Sequence, residues 1–452
     1  MRRRGGSGGE EAAPGWAGLH VDLLELVAAR VLATGGFLDY LRFRAVCPQW
    51  RAAAASPRGR GVVDPRFHPR RWMLFPEGFG RFPGHRADGG HARIFDLAAA
   101  GAFVRVPIPE LKNHCVLDSP GSLLLLQRDE DSAVRLLHPF TGDVAEFPSL
   151  DTLSRQLCDL EDSALSHYNF HGWLYSRSRY LEKVRKVCAA INVTDAGIVT
   201  VMLSLDQIGR VAFASAGDYE WTISSWEVTQ LDRALSYQGK LYVVNWDEGV
   251  TRILLIDPPL QQSEVKGSSS EPLLPLGEEE GSSSESPLSW NKEEGTSSQL
   301  TLPPPRTVAT CLSSDIYLPY LVELDSEIML VGYNDSSFSR ILVLKLADLV
   351  LGRTVPVSSI GDHVLFAGAR SLCVSSSWLP SIGANSIICF HSGESYLAQY
   401  HLSTGTWSPA SDGHLMLSPP LRPCSLIHHI FTCCDRRFCC EQRIDVLHQQ
   451  RT

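Results

Sequence analysis

The chain has 452 residues, of which 44% are hydrophobic and 20% are charged, and its net charge at pH 7 is -9. This composition is typical of a globular protein, and the negative charge argues against a general nucleic-acid-binding surface. No apolar run approaches 18 residues, so no membrane span is predicted. Residues 1–15 lack the apolar segment of a secretory signal and are predicted to be disordered. The 12 mostly isolated cysteines suit reduced thiols in the cytoplasm or the nucleus.

Residues 16–56 predict three short helices. Apolar residues recur every three or four positions from Asp22 to about Leu32, which indicates a first amphipathic helix, and Gly35-Gly36 ends it. The same period then resumes. Pro48 marks the start of a third helix, because a missing N–H is no loss at the first helical position. Three helices of this length cannot bury all their large apolar side chains among themselves, so the surplus should face a partner or the rest of the chain.

This stretch resembles the F-box, a small domain that docks on the SKP-type adaptor of cullin-RING ubiquitin ligases. The match covers Leu19, Asp22-Leu23-Leu24, Arg30-Val31-Leu32 and the segment Leu41–Arg51. His20 stands where the family usually has proline, and this departure is expected to weaken adaptor binding. The alternative is a structural helical hairpin without a partner. By resemblance, eight residues would contact the adaptor: Leu19, Leu23, Leu24, Val27, Leu41, Val46, Cys47 and Trp50.

From about residue 70 onward, short β-type segments alternate with turns rich in Gly, Pro, Asp and Ser. A unit of strand, polar break and second strand recurs in residues 121–137, 239–257, 326–346 and 385–402. Repeated small sheets are typical of a β-propeller, in which radial stacking buries sheet faces and shortens exposed edges. At roughly 45–50 residues per blade, about six or seven blades are predicted. A pair of β-sandwiches is the alternative fold.

The order and spacing of segments across residues 70–410 resemble a plant F-box family with a C-terminal KIB-type propeller. Matching segments include Arg71–Pro76, Leu137–Gly142, Val211–Trp221, Tyr237–Tyr242 and Ile360–Phe366. The predicted fold is therefore α+β and multidomain, with a small three-helix F-box followed by a mostly-β domain, a kelch-like β-propeller. The predicted boundaries are an F-box at 16–56, a linker at 57–69, the propeller at 70–425 and a Cys-rich tail at 426–452.

Residues 261–306 form an insertion rich in Ser, Glu and Pro that lacks apolar periodicity, and it is predicted to be disordered. It is interpreted either as a phosphorylatable acidic tether or as an unselected loop expansion.

The sequence offers no strong catalytic or metal site. It contains neither a Gly-rich phosphate loop ahead of a helix nor a nucleophile elbow, so no catalytic residue and no cofactor is predicted. The tail cysteines, with His428-His429, lack the spacing of a zinc site, because adjacent cysteines point apart in an extended chain. Acidic residues could line a propeller channel, as in carbohydrate-acting propellers, but solvated turn positions are favoured: Asp206, Asp218, Glu220 and Asp247.

The resemblance implies a non-catalytic substrate-recognition subunit of an SCF-type E3 ubiquitin ligase. The F-box would dock the SKP-type adaptor, and through it the cullin and RING subunits, while the propeller binds an unknown protein substrate. No nucleic acid or membrane partner is expected. The alternative is a non-degradative propeller ligand-binding protein, or a propeller enzyme, with a vestigial F-box. Propeller specificity depends on loop side chains, so the sequence does not name the substrate.

Overall fold

A computed structural model describes residues 16–34, 36–69, 72–76, 90–97, 103–153, 156, 187–247, 249–261, 300–368, 370–390, 397–410, 426–427 and 430. Its α-helices are α1 (Val21–Thr34), α2 (Gly36–Ala45), α3 (Pro48–Ala53) and α4 (Leu346–Val350). Short 3-10 helices lie at Trp16–Gly18, Pro65–Phe67, Pro109–Lys112, Pro120–Ser122, Leu150–Thr152, Asp206–Ile208, Leu231–Arg233 and Ser376–Trp378. Within these ranges, none of the helices has the length and apolar character needed to span a membrane.

The described strands form seven sheets: six of them, in chain order, we call blades 1 to 6, and the seventh pairs only two short strands. Blade 1 contains β1 (Trp72–Pro76), β2 (His91–Asp96) and β3 (Phe103–Pro107). Blade 2 contains β4 (His114–Asp118), β5 (Leu124–Arg128), β6 (Ala133–Leu137) and β7 (Val144–Ser149). Blade 3 contains β8 (Val187–Val193), β9 (Val199–Leu205), β10 (Arg210–Ser215) and β11 (Thr222–Ile223).

Blades 4 to 6 complete the set. Blade 4 contains β12 (Leu235–Tyr237), β13 (Lys240–Asp247), β14 (Val250–Ile256) and β17 (Arg306–Leu312), with β15 (Leu260–Gln261) and β16 (Leu300–Thr301) paired beside it. Blade 5 contains β18 (Tyr317–Leu324), β19 (Glu327–Tyr333) and β20 (Ile341–Lys345). Blade 6 contains β21 (His363–Phe366), β22 (Leu372–Ser375), β23 (Ser386–Phe390), β24 (Leu397–His401) and β25 (Thr406–Pro409).

Six apolar clusters join the blades into a closed ring. Successive residues of a strand point to opposite sheet faces, so Val243 packs toward blade 3 and Val244 toward blade 5. Each pair of neighbouring blades shares one such cluster, and blade 6 shares one with blade 1. Representative pairs are Trp72 with Leu124, Phe147 with Trp221, Phe213 with Leu241, Ile253 with Leu330, Tyr333 with Tyr400, and Phe366 with Phe95. The architecture is a six-blade, mostly-β propeller.

The predicted strand pairs are confirmed. All four repeated units are antiparallel hairpins: β5–β6, β13–β14, β19–β20 and β23–β24. The six blades fall within the predicted range, and the ring of clusters is incompatible with a pair of β-sandwiches.

Two predicted boundaries are corrected by packing. Ile427 and Ile430 were assigned to the Cys-rich tail, but both are buried in the cluster that joins blades 6 and 1. The predicted insertion at 261–306 is also too wide, because β15 and β16 pair Gln261 with Leu300 and Arg306 begins β17. Residues 262–299 of that insertion, the N-terminal 15 residues and the tail cysteines lie outside the described residues.

Candidate functional site

The three N-terminal helices form a small module, residues 16–56, whose apolar centre also takes in Phe67 and Phe140. Leu24 and Ala28 of α1 pack against Phe37, Tyr40 and Phe43 of α2. As predicted, α3 begins at Pro48, and the sulfur of Cys47 accepts a hydrogen bond from the Trp50 backbone N–H at 3.5 Å. The module therefore follows from the period of its apolar residues and from the cap that starts α3.

One face of α1 carries aliphatic side chains that the module leaves uncovered. Leu23, Leu26 and Val27 are 51%, 68% and 43% exposed, and their i, i+3, i+4 spacing places them on one side of the helix. We call these three residues the exposed stripe. Val46, between α2 and α3, is also 60% exposed. Clustered apolar side chains on the surface of a folded protein are typical of a protein-binding site.

The eight residues predicted to contact an adaptor fall into three groups by exposure. Leu23, Val27 and Val46 are exposed and available. Leu24 is completely buried in the module's centre, so its assignment to the contact surface is corrected: it supports the fold and cannot touch a partner. The four others are half-buried: Leu19, Leu41, Cys47 and Trp50.

Trp50 illustrates the half-buried group. Its ring lies on Phe43, with centroids 4.4 Å apart, and its indole N–H donates to the Trp16 carbonyl oxygen at 3.3 Å. The neighbouring Gln49 side-chain amide donates to the Leu19 carbonyl oxygen at 3.1 Å. These two hydrogen bonds connect the segment before α1 to α3. Trp50 therefore stabilises the packing of the module, in addition to any contact it makes with a partner.

Sequence reasoning missed part of the exposed surface. Leu26 is the most exposed member of the stripe, and Trp16 and Val21 in the same module are also exposed. The signal for Leu26 was its position three residues after Leu23, which puts both on one helix face.

His20 lies directly before α1. Its carbonyl oxygen accepts the Leu24 N–H at 3.1 Å, so it occupies the position where the helix begins. Its exposed imidazole Nδ1 lies 3.4 Å from the Asp22 backbone nitrogen. The start of α1 therefore uses the backbone of His20, while its side chain stays exposed.

Residues 57–69 were predicted to be a linker, and the structure corrects this. Gly61, Val62 and Phe67 are buried, and the segment is bonded to the turn between β6 and β7 of blade 2. The Asp143 carboxylate accepts the backbone N–H groups of Gly59 at 2.9 Å and Gly61 at 2.7 Å. The segment is a structured joint between the module and the propeller.

His138, in the same turn, completes the joint. Its Nε2–H donates to the Phe67 carbonyl oxygen at 3.1 Å, and its Nδ1 accepts the backbone N–H groups of Phe140 at 3.3 Å and Thr141 at 3.1 Å. This pattern requires the neutral imidazole, and burial lowers the pKa of His138 below its ordinary value. The Phe37 ring of α2 contacts His138, with ring centroids 5.0 Å apart.

The pKa of Asp143 is held below its ordinary value. Burial is the largest single influence and acts to raise the pKa, but the hydrogen bonds from Gly59 and Gly61, with the Thr141 side chain and His138, together outweigh it. Asp143 is therefore ionised at neutral pH, when both bonds are charge-assisted.

The acidic residues considered for a channel do not converge. Asp206 follows the end of β9 and Asp218 follows the end of β10, and because these strands are antiparallel the two lie at opposite ends of blade 3. Asp218 accepts the Ser215 backbone N–H at 2.6 Å, and Asp247 lies 3.6 Å from Arg252. Throughout the described ranges, no three His, Cys, Asp or Glu side chains are grouped to hold a metal ion.

Two solved structures are only weakly similar to this chain. A crystal structure of the Myceliophteria thermophila Cps50 (Swd1) beta-propeller domain is 12% identical, over 71% of this chain and 77% of that one, with a TM-score of 0.26. A dihydro-heme d1 dehydrogenase NirN in complex with DHE is 11% identical, over 74% of this chain and 53% of that one, with a TM-score of 0.22. Scores this low carry no argument about fold or function.

Sequence comparison is more informative. No curated protein is significantly similar to the chain. The KIB1-4 beta-propeller family, however, matches residues 94–408, from β2 of blade 1 to β25 of blade 6. This range is well over half of the chain and includes the turn that holds the module. The chain belongs to the KIB1-4 beta-propeller family.

Proposed function

We propose that this protein is a substrate-recognition subunit of an SCF-type E3 ubiquitin ligase. The N-terminal module acts as an F-box that binds the SKP-type adaptor, and through it the cullin and RING subunits. The propeller, a kelch-like one in this proposal, binds a protein substrate. The protein itself is not an enzyme, and it works in the cytoplasm or the nucleus of a plant cell.

The observation that carries this proposal is the exposed stripe on α1. An isolated exposed leucine is ordinary, but three aliphatic side chains on one helix face, together with the exposed Val46, make an apolar surface that the described residues do not cover. The stripe lies within the segment that resembles the F-box, and Leu23 and Val27 were among the residues predicted to face the adaptor. Interfaces of this kind depend on a few aliphatic and aromatic anchors.

The test is the affinity of the full-length chain for a purified SKP-type adaptor. The variant carries Leu23→Ala and Val27→Ala, which remove exposed atoms and leave the module's centre intact. Loss of these two contacts should weaken binding by about 3 kcal/mol in total, or roughly 100-fold in Kd. Isothermal titration calorimetry measures this directly.

A matched control comes from blade 5. Val350 and Leu351, at the end of α4, are exposed aliphatic residues remote in sequence from the module. Val350→Ala with Leu351→Ala should leave adaptor affinity unchanged. If both double variants bind as tightly as the unaltered chain, the stripe is not the contact surface. If the unaltered chain does not bind, the F-box assignment is wrong, and a non-degradative propeller protein is the better interpretation.

A further inference from the structure

The turn between β6 and β7, residues 138–143, receives contacts from three separate parts of the N-terminal region. The Phe37 ring of α2 lies 5.0 Å from the His138 ring and 5.6 Å from the Phe140 ring, measured between centroids. The Phe67 carbonyl oxygen accepts the His138 N–H. The third contact is the pair of hydrogen bonds that the Gly59 and Gly61 backbone N–H groups donate to the Asp143 carboxylate. A single turn of blade 2 thus engages both a helix and the segment that follows the helices.

These contacts complete the module's centre. Phe37 is buried, and it is buried partly by propeller residues rather than by α1 and α3 alone. Short helices are marginal in water without tertiary packing, and an assembly of about 40 residues seldom builds a sufficient core by itself. Removing the turn would expose the inner face of α2.

The segment at residues 57–69 lies so close to the turn at residues 138–143 that only glycine fits at position 61. A Cβ atom on Gly61 would lie 2.5 Å from Thr141 Oγ1, 2.8 Å from Asp143 Oδ2 and 2.9 Å from His138 Cγ. These distances are far below van der Waals contact, and they involve three side chains of the turn at once. The position of the joint on the turn is therefore tightly specified.

We propose that the turn at residues 138–143 is an internal docking site on which the three-helix module folds. The module is then not an autonomous domain, and the propeller fixes the direction in which the exposed stripe points. Asp143 and His138 act as positioning residues for that stripe. This inference rests on the contacts within the chain, and it stands whether or not the stripe binds a ubiquitin-ligase adaptor.

The test is amide hydrogen exchange in the full-length chain at neutral pH. Two variants loosen the joint by different means: Asp143→Ala removes the acceptor of two backbone N–H groups, and Gly61→Ala introduces the clash. Both should raise the exchange rates of the α2 amides at least about tenfold, because the module opens without its docking site. The amides of β9 and β13, in blades 3 and 4, should keep their protection.

Asp218→Ala is the matched control. Its carboxylate also accepts a backbone N–H after a strand, but that N–H belongs to Ser215, the last residue of the same blade's strand β10. The Asp218→Ala variant should therefore leave amide exchange in α2 unchanged. Unchanged α2 exchange in both joint variants would overturn the proposal and show that the module folds independently. Equal loss of protection in β9 and β13 would also overturn it, since the turn would then be stabilising the propeller as a whole.

The experiment contains no adaptor, so its outcome is separate from that of the proposed function. A chain that shows the expected exchange pattern but does not bind the adaptor keeps the docking site and loses the F-box assignment. If the chain binds the adaptor but the joint variants leave α2 exchange unchanged, the F-box assignment is kept and the docking site is rejected.

Discussion

His138 occupies a position that only a neutral imidazole can fill. One ring nitrogen donates to the Phe67 carbonyl and the other accepts two backbone N–H groups, so a second ring proton would point at hydrogen-bond donors. Burial adds to this effect by disfavouring the charged ring. The same direction of shift, again caused mainly by burial, is found at His114 in blade 2.

A pH dependence of stability follows. The pKa of His138 is below its ordinary value of 6.5 in the folded chain, so below about pH 6.5 the unfolded chain binds a proton that the folded chain does not. The free energy of unfolding should therefore decrease as pH falls from 7.5 to 5.0, by up to about 1.4 kcal/mol per pH unit for each such histidine. Urea unfolding at a series of pH values measures this slope.

The variant with His138→Gln and His114→Gln separates titration from simple loss of contacts. Glutamine keeps a side-chain N–H donor but does not titrate in this range, so the slope should flatten even if overall stability is lower. A slope that stays as steep in the variant would show that other groups control the acid response.

Neighbouring residues in α1 show how far sequence reasoning reached. Leu23 and Leu24 look equivalent in the motif, yet one is exposed and the other is in the module's centre. The helix period predicts that they differ in direction, but which of them faces outward depends on where α2 and α3 lie. Resemblance alone assigned both to the partner surface, and only the tertiary packing separates them.

The hairpin of β21 and β22 in blade 6 contacts blade 2, which is not its neighbour in the ring. Arg370, in the turn between these strands of blade 6, lies 3.3 Å from a carboxylate oxygen of Asp118 in blade 2. Its guanidinium also donates to Ser119 Oγ and to the Ser119 carbonyl oxygen, both at 2.7 Å. Blade 1 lies between blades 6 and 2, so this contact spans it.

Arg370→Ala should be strongly destabilising. It leaves the buried Asp118 carboxylate without its guanidinium partner, which should lower the free energy of unfolding by about 2–4 kcal/mol. Arg306, which pairs with Asp257 at 3.0 Å but is mostly exposed, is the comparison. Arg306→Ala should change stability by less than about 1 kcal/mol. Chemical denaturation measures both, and equal effects would mean that the Arg370 contact adds no more than a surface ion pair.

The elements differed in how predictable they were. Hairpins such as β13–β14 were predicted because turn residues and short apolar runs are local signals. Blade 6 was not predicted in detail: β21 runs parallel to β23, and β22 lies on the far side of β21. Parallel pairing joins residues distant in sequence, so no local pattern specifies it.

At the scale of the whole molecule, closure depends on residues that looked peripheral. The cluster between blades 6 and 1 includes Phe95 and Phe366 from strands, and also Ile427 and Ile430 from the region assigned to a tail. The joint at residues 57–69 was likewise predicted to be a linker, yet Gly61, Val62 and Phe67 in it are buried. Composition describes what a segment contains, whereas burial depends on what the rest of the fold places beside it.

A substrate-recognition subunit should bring its client to the ligase, and the client's fate tests that claim most directly. Proteins labelled by proximity to the full-length chain during proteasome inhibition provide candidate clients. Their half-lives and ubiquitin loads are then compared in cells expressing the unaltered chain, the stripe variant Leu23→Ala with Val27→Ala, or the Val350→Ala with Leu351→Ala control.

The stripe variant should still label the clients, because its propeller is intact. With that variant, however, their ubiquitin load should fall and their half-lives should lengthen, whereas the control should match the unaltered chain. Clients whose half-life and ubiquitin load are the same with the stripe variant as with the unaltered chain would contradict the degradation role.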